Sequence, residues 1–100
     1  MIKHIVIWSI KATEKANKSE NIQTFKNMLE ALPATIKEIE SLEVGLKTDK
    51  SPTNNNDIVL TTTHKTWADL TSYATHPKHL EVIEFAKTVV ESRSAVDFEY

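Results

Sequence analysis

Both faces of the first segment, MIKHIVIWSIK at residues 1–11, carry apolar side chains. Apolar and β-branched residues follow one another there as in a β-strand, where successive side chains point to opposite faces. One face would hold Ile2, His4, Val6, Trp8 and Ile10, and the other would hold Ile5 and Ile7. Because both faces are apolar, both have to be covered when the chain folds.

Helical and strand periodicities alternate along the next region. Ser19 is a predicted helix N-cap with Glu20 in the first turn, and apolar residues then recur at helical spacing. These residues are Ile22, Phe25, Met28, Leu29 and Leu32. Pro33 ends the pattern, so residues 34–40 predict only a short second helical piece. A strand follows, in which Leu42, Val44 and Leu46 alternate with other residues.

The second half repeats the order of strand and helix. Residues 49–56 (DKSPTNNN) predict a loop, and residues 57–64 (DIVLTTTH) a strand. One face of that strand would carry Ile58, Leu60, Thr62 and His64, and the other Val59. Thr66 and Asp69 predict a capping box that opens a helix to about Thr75. Pro77 then interrupts it, a second helix is predicted from Lys78 to Ser92, and SAVDFEY at 94–100 predicts a terminal strand.

The predicted order β-α-β-β-α-β is that of the ferredoxin-like α+β fold, with helices on one face of an antiparallel sheet. Residues 1–100 fit one domain of this type. The opposite sheet face would carry an exposed apolar patch formed by Ile5, Ile7, Val59, Val96 and Phe98. We therefore predict a two-fold symmetric homodimer, a dimeric α/β barrel in which two such sheets pack face to face.

Composition excludes several other classes of protein. The net charge of −2 comes from 12 basic and 14 acidic residues without a run of one sign, so neither a nucleic acid nor a membrane surface is an expected partner. The chain has no cysteine, no recognisable signal peptide and no apolar run long enough to span a membrane, and we expect a soluble cytoplasmic protein. A single glycine excludes a Gly-rich nucleotide-binding loop.

Four polar side chains are predicted to meet in one apolar cavity. His79 lies on the apolar stripe of its helix, and Tyr73 lies one turn before Pro77. His4 shares a strand face with Val6 and Trp8, and Asp97 alternates with the outward residues of the last strand. Burial and mutual hydrogen bonding can tune such groups for proton transfer. The predicted catalytic pair is Tyr73 and His79, and the predicted substrate contacts are His4, Val6, Trp8, Ile58, Leu60 and Asp97.

The same histidines also have a purely structural interpretation, because an inward histidine is often a satisfied core residue. His64 is predicted to pack in place of an aromatic residue, and His76 to cap the helix junction. His76 and His79 are three residues apart, but Pro77 breaks the helix that would align them, so no metal site is predicted. No other cofactor is predicted either.

The chain resembles the stress-responsive dimeric α/β-barrel (Dabb) family over nearly its whole length. The resemblance rests on MIKHIVIWSIK, LPATIKEIESLEVG, DIVL, YATHPKHLEVIEF and VVESRSAVDFEY, above all on Tyr-x-x-His-Pro-x-His followed by Val-Glu-Ser-Arg. It implies a ferredoxin-like protomer in a dimeric barrel. The plant polyketide-cyclase branch that forms olivetolic acid uses the tyrosine and second histidine of this motif as acid and base, which implies those roles for Tyr73 and His79. His4 and Asp97 also match that branch, whereas Trp8 and Ile58 depart from it.

Two functions follow as hypotheses. The first is a dimeric stress-response domain that binds a small hydrophobic or carbonyl-containing ligand without catalysis. The alternative is a cofactor-free enzyme, polyketide-cyclase-like or monooxygenase-like, in which His79 removes a proton beside a carbonyl and Tyr73 hydrogen-bonds the oxyanion. Asp97 or His4 would orient the base. A cavity of roughly 300 Å³ or more beside Tyr73, His79 and His4 is expected for the enzyme, whereas a core filled by Trp8 and Phe85 would contradict it.

Overall fold

The computed structural model describes residues 1–100. Its elements, in chain order, are strand β1 (Ile2–Ile10), helix α1 (Lys18–Glu30), a short 3₁₀ turn (Leu32–Ala34), strands β2 (Ser41–Leu46) and β3 (Ile58–His64), helices α2 (Trp67–Thr75) and α3 (Pro77–Val89), and strand β4 (Val90–Glu99). None of these helices is long and apolar enough to cross a lipid bilayer.

The four strands form one antiparallel sheet in the order β2-β3-β1-β4. This is the ferredoxin-like arrangement, as the sequence predicted. The inward face of β1 packs with the helices into the hydrophobic core, where Val6, Trp8 and Ile10 are buried. On the outward face, Val96 is 55% exposed and Phe98 is 38% exposed. One sheet face is therefore covered within the protomer and the other carries exposed apolar side chains.

Helix α1 begins two residues earlier than a Ser19 cap would allow, so that prediction is wrong. The N-cap is Asn17, whose side chain accepts a hydrogen bond from the Glu20 amide at 2.8 Å. The Glu20 carboxylate accepts one from the Asn17 amide at 3.0 Å. This reciprocal pair is a full capping box and places Ser19 inside the first turn.

The second helical piece predicted for residues 34–40 is also wrong, since only the 3₁₀ turn and isolated turns occur there. Ile36 is fully buried, and the carbonyl of Glu38 accepts a hydrogen bond from Nδ1 of His64 at 2.8 Å. A continuing helix would have used that carbonyl for its own backbone ladder. Tertiary contacts therefore replace local hydrogen bonds in this segment.

The caps of the last two helices are close to the prediction. The Thr66 hydroxyl accepts from the Asp69 amide at 3.1 Å, but the reciprocal bond from the Asp69 carboxylate is not formed. His76 caps α3, with its Nδ1 accepting from the Lys78 amide at 3.1 Å, and this confirms its predicted role at the junction. Pro77 occupies the first turn of α3, where its missing amide proton costs nothing.

Helix α3 ends at Val89 and not at Ser92, and β4 begins at the next residue. Ser92 pairs with Ser9 of β1, and Arg93 pairs with Trp8. The β-branched Val89 and Val90 favour the change from helix to strand, and pairing with β1 fixes where it happens. As a result, Arg93 belongs to the sheet and faces the same side as Trp8.

Candidate functional site

A cavity of about 580 Å³ lies between the inward sheet face and helices α1, α2 and α3. Its buried wall is almost entirely apolar and comprises Val6, Trp8, Phe25, Leu29, Leu60, Leu70 and Val82, with Tyr73 among them. The volume exceeds the roughly 300 Å³ expected of a ligand pocket. Trp8 packs edge-on against Phe25, with ring centroids 4.7 Å apart, and so forms part of the wall without filling the space. Phe85 does not line the cavity.

Tyr73 is the centre of the polar part of this site. Helix α2 places its ring within 4.5 Å of the His79 ring, 5.1 Å of His64 and 5.9 Å of His4, measured between centroids. The side chain is 1% exposed, and its hydroxyl is buried without a hydrogen-bond partner. Burial raises the pKa of Tyr73 well above its ordinary value, although the positive charge of Arg93 opposes the shift. The hydroxyl therefore stays protonated and is a free donor.

His79 is held by the helix junction. Its Nδ1 lies 2.9 Å from the carbonyl oxygen of Ala74, and because a carbonyl only accepts, Nδ1 carries the proton. Nε2 then keeps its lone pair in the neutral ring. Burial lowers the pKa of His79, and this outweighs the opposing effect of the Ala74 hydrogen bond. His79 is thus a neutral imidazole near pH 7 with one nitrogen able to accept a proton.

His4 and Asp97 form a separate pair. They are register partners in β1 and β4, and Nδ1 of His4 contacts a carboxylate oxygen of Asp97. The prediction that Asp97 or His4 orients His79 is wrong, because the Ala74 carbonyl has that role. The carboxylate-oriented histidine of the site is His4.

His64 is a satisfied core residue, as predicted. Its side chain is fully buried, Nδ1 donates to the Glu38 carbonyl, and Nε2 accepts from the Thr62 hydroxyl at 2.9 Å. Burial lowers the pKa of His64 below the ordinary imidazole value. With both nitrogens engaged, the ring supports Tyr73 by packing and has no nitrogen left for a ligand.

The structure places nearly all of the predicted site residues at this cavity. His4, Val6, Trp8, Leu60, Tyr73, His79 and Asp97 all line it. Ile58 does not, because it lies in the core at the start of β3, beside a separate, more open depression. Sequence reasoning missed Arg93, which fell between the helix predicted to end at Ser92 and the strand predicted for residues 94–100, whereas the structure places it in β4. The signal was its spacing from Asp97, since residues four apart in a strand share a face.

No group of three or more His, Asp and Glu side chains is placed to hold a metal ion. This architecture defines the class of protein: a small α+β protein with a ferredoxin-like sheet and an apolar cavity that carries a Tyr/His cluster. The stress responsive A/B barrel domain family matches residues 2–100, and the chain belongs to that family.

Solved structures agree with this assignment. A dimeric protein of unknown function with a ferredoxin-like fold from Bacteroides fragilis is 33% identical, with a TM-score of 0.83 over 99% of this chain and 95% of that one. A Dabb family protein from Mesorhizobium loti is 18% identical, with a TM-score of 0.78 over 99% and 95% of the two chains. The hydroxynitrile lyase of Passiflora edulis is 18% identical, with a TM-score of 0.77 over 97% and 90%. The last two similarities show the fold alone. No curated protein matches the sequence significantly.

Proposed function

We propose that this protein binds a small, mostly apolar carbonyl compound in the cavity. The observation that carries the proposal is the Tyr73 hydroxyl, a buried donor without a partner in the wall of an apolar cavity of about 580 Å³. Leaving such a group unsatisfied costs about 1–3 kcal/mol. A ligand oxygen that accepts its hydrogen bond recovers that free energy, so the site favours a ligand with a carbonyl acceptor inside an apolar body.

The hydroxyl has almost no accessible surface, so a ligand reaches it only when a neighbouring side chain shifts. His79 is the partly exposed ring nearest to the Tyr73 ring, at 4.5 Å between ring centroids. We expect the His79 ring to move on binding while Tyr73, held between helix and sheet, stays in place. Binding should therefore perturb the His79 ring resonances in an NMR spectrum.

Binding is tested with a single-tryptophan reporter. Trp67 is 47% exposed and lies outside the cavity, so Trp67→Phe leaves Trp8 as the one tryptophan, in the cavity wall. Heptyl methyl ketone is a suitable probe, and we expect it to change Trp8 emission in a saturable way. Loss of one neutral hydrogen bond in Tyr73→Phe should weaken binding about fivefold.

A matched pair of variants checks the location. Ala86 lines the cavity, whereas Ala68 is exposed on α2 away from it. Ala86→Phe should fill the space and abolish binding, and Ala68→Phe should bind as the parent does. Equal affinity in all of these variants, or no saturable change in the parent, would contradict the proposal.

A proton-transfer enzyme is the second candidate, and the tautomer of His79 favours it. Nε2 of His79 carries a lone pair, and the neighbouring Tyr73 ring bears a hydroxyl that can donate to a developing oxyanion. In this reaction His79 takes a proton from the carbon next to the ligand carbonyl, and Tyr73 stabilises the enolate oxygen.

The simplest assay is exchange of the α-protons of heptyl methyl ketone for deuterium in D₂O, followed by NMR. Exchange above the buffer rate that is lost in His79→Gln would support catalysis. If the ketone binds but exchanges no faster than in buffer, the protein is a binder without this proton transfer.

We also propose that the working unit is a homodimer formed through the outward sheet face. Val96 and Phe98 lie exposed on that face, and the Bacteroides fragilis protein of 33% identity is described as dimeric. Phe98→Asp or Val59→Asp should shift the sedimentation coefficient toward the monomer. Leu80→Asp is the control, because Leu80 is 47% exposed on α3 and not on the sheet. A dimer that survives the sheet substitutions would exclude this interface.

A further inference from the structure

The cavity has a defined mouth. Of its 17 lining residues, 13 are buried or half-buried and four are exposed: Ala74, Lys87, Arg93 and Asp97. They lie on β4, on α3 and at the end of α2, so the cavity opens between the edge strand and the helix junction. A ligand therefore enters with one end deep among apolar side chains and the other end among charged groups.

Arg93 is the one charged group of this mouth without a partner. Lys87 is paired with Glu84 at 3.1 Å, and Asp97 is engaged by His4. The guanidinium of Arg93 makes no hydrogen bond and no ion pair in the protomer. The Val-Glu-Ser-Arg segment that ends in this residue has no part in the proton-transfer chemistry described above.

The position of Arg93 is fixed by the sheet. It pairs with Trp8, whose ring belongs to the cavity wall, and it lies four residues from Asp97 on the same face of β4. Four residues of a strand span roughly 13 Å. Its positive charge acts within the cavity. It lowers the pKa of Tyr73 against the effect of burial, and it lowers the pKa of His79 in the same direction as burial does.

We propose that Arg93 binds the carboxylate of the ligand, so that the ligand class is a small aliphatic oxo acid. This inference rests on the proposed function: the carbonyl binds at Tyr73, the methylene chain packs against the apolar wall, and the carboxylate stays at the mouth. A guanidinium matches a carboxylate with two parallel N–H···O hydrogen bonds, which a single ammonium group does not provide. Asp97 pairs with His4, whose ring lies beside that of Tyr73. The roughly 13 Å along β4 from Arg93 to Asp97 therefore leaves room for several methylene groups between the carboxylate and the carbonyl of the ligand.

Two probes separate the two ends of the ligand. Octanoate carries only the carboxylate, and heptyl methyl ketone carries only the carbonyl on the same chain, with a methyl group in place of one oxygen. Binding is read from Trp8 in the Trp67→Phe background. An ion pair at an exposed site is worth up to about fivefold in affinity, so Arg93→Gln should weaken octanoate about threefold to fivefold and the ketone less than about twofold. Tyr73→Phe should weaken the ketone about fivefold and octanoate less than about twofold.

Three controls make the result specific. Lys65→Gln removes a positive charge from an exposed side chain outside the cavity and should change neither affinity. Raising the salt concentration should weaken octanoate and not the ketone. An equal loss of octanoate binding in Lys87→Gln would assign the effect to general positive charge and overturn the role of Arg93.

The failures are distinguishable. If the ketone binds but octanoate does not, or Arg93→Gln leaves octanoate unchanged, the carboxylate assignment is wrong and the proposed function stands. If neither probe binds the parent protein, the proposed function fails and this inference fails with it.

Discussion

Replacing Tyr73 by phenylalanine should make this protein more stable and a poorer binder. The side chain is 1% exposed and its hydroxyl has no hydrogen-bond partner. Tyr73→Phe removes that oxygen and keeps the ring, with its packing against three histidine rings. The substitution therefore removes an unfavourable buried group without creating a large cavity.

The expected magnitude follows from the burial of the hydroxyl. An unsatisfied buried polar group costs about 1–3 kcal/mol, and the small void left by one oxygen offsets part of the gain. We expect the free energy of unfolding to rise by about 1–2 kcal/mol. For a domain of this size each 1 kcal/mol raises Tm by about 4–8 °C.

Equilibrium unfolding in urea, followed by far-UV circular dichroism, measures the change. The midpoint should move to higher urea with an unchanged m value, and all samples need one protein concentration because a dimer is expected. Tyr100→Phe is the control. Tyr100 is 58% exposed, so the free energy of unfolding of this variant should differ from that of the parent by less than about 0.5 kcal/mol. A midpoint below that of the parent would refute the reasoning, since it would mean that the hydroxyl has a partner, such as a bound water.

Three other perturbations test the remaining structure. Burial lowers the pKa of His64 and His79, so below about pH 6.5 the unfolded chain binds more protons than the folded one. The contribution of these two residues to stability should therefore fall as the pH is lowered. An NMR titration in which either ring has an ordinary pKa would contradict this. The Asp57 side chain is 2% exposed, accepts a backbone amide hydrogen bond at 2.8 Å and faces two lysine ammonium groups. Asp57→Asn should therefore lower the free energy of unfolding in urea by about 2 kcal/mol, and a change under about 0.5 kcal/mol would count against that role. A Cβ added to Gly45 would lie 2.9 Å from Cγ1 of Val59. Gly45→Ala should therefore lower the free energy of unfolding by about 1 kcal/mol in the same assay. If the double variant with Val59→Ala recovers none of that loss, this clash is not its cause.

Comparison of the predicted and observed caps shows where local reasoning works. Thr66 and His76 cap their helices as predicted, because each bond joins residues only two or three positions apart. Asn17 was missed in favour of Ser19 because both residues are good caps and lie two positions apart. Such a choice is decided by which start of the helix best buries its apolar face.

The site residues also divide into features that local patterns predict and features that they do not. Strand alternation was enough to place His4, Val6 and Trp8 on the inward face, and helical spacing was enough to turn His79 toward the same side. The hydrogen bond from His79 to the Ala74 carbonyl could not be predicted, because it depends on the angle between α2 and α3 at Pro77. Nor does the sequence reveal that the Tyr73 hydroxyl has no partner, since that depends on every atom around it.

By itself, the sequence determined the order of the strands and the main helices and the face on which most chemical side chains lie. These properties follow from periods of two and of 3.6 residues, which are local. Only the tertiary structure decided that β4 begins at Val90, that Arg93 stands at the mouth of the cavity and that Ile58 lies outside it. Those features depend on the register between strands far apart in the chain and on how the helices pack over the sheet, and no local pattern specifies either.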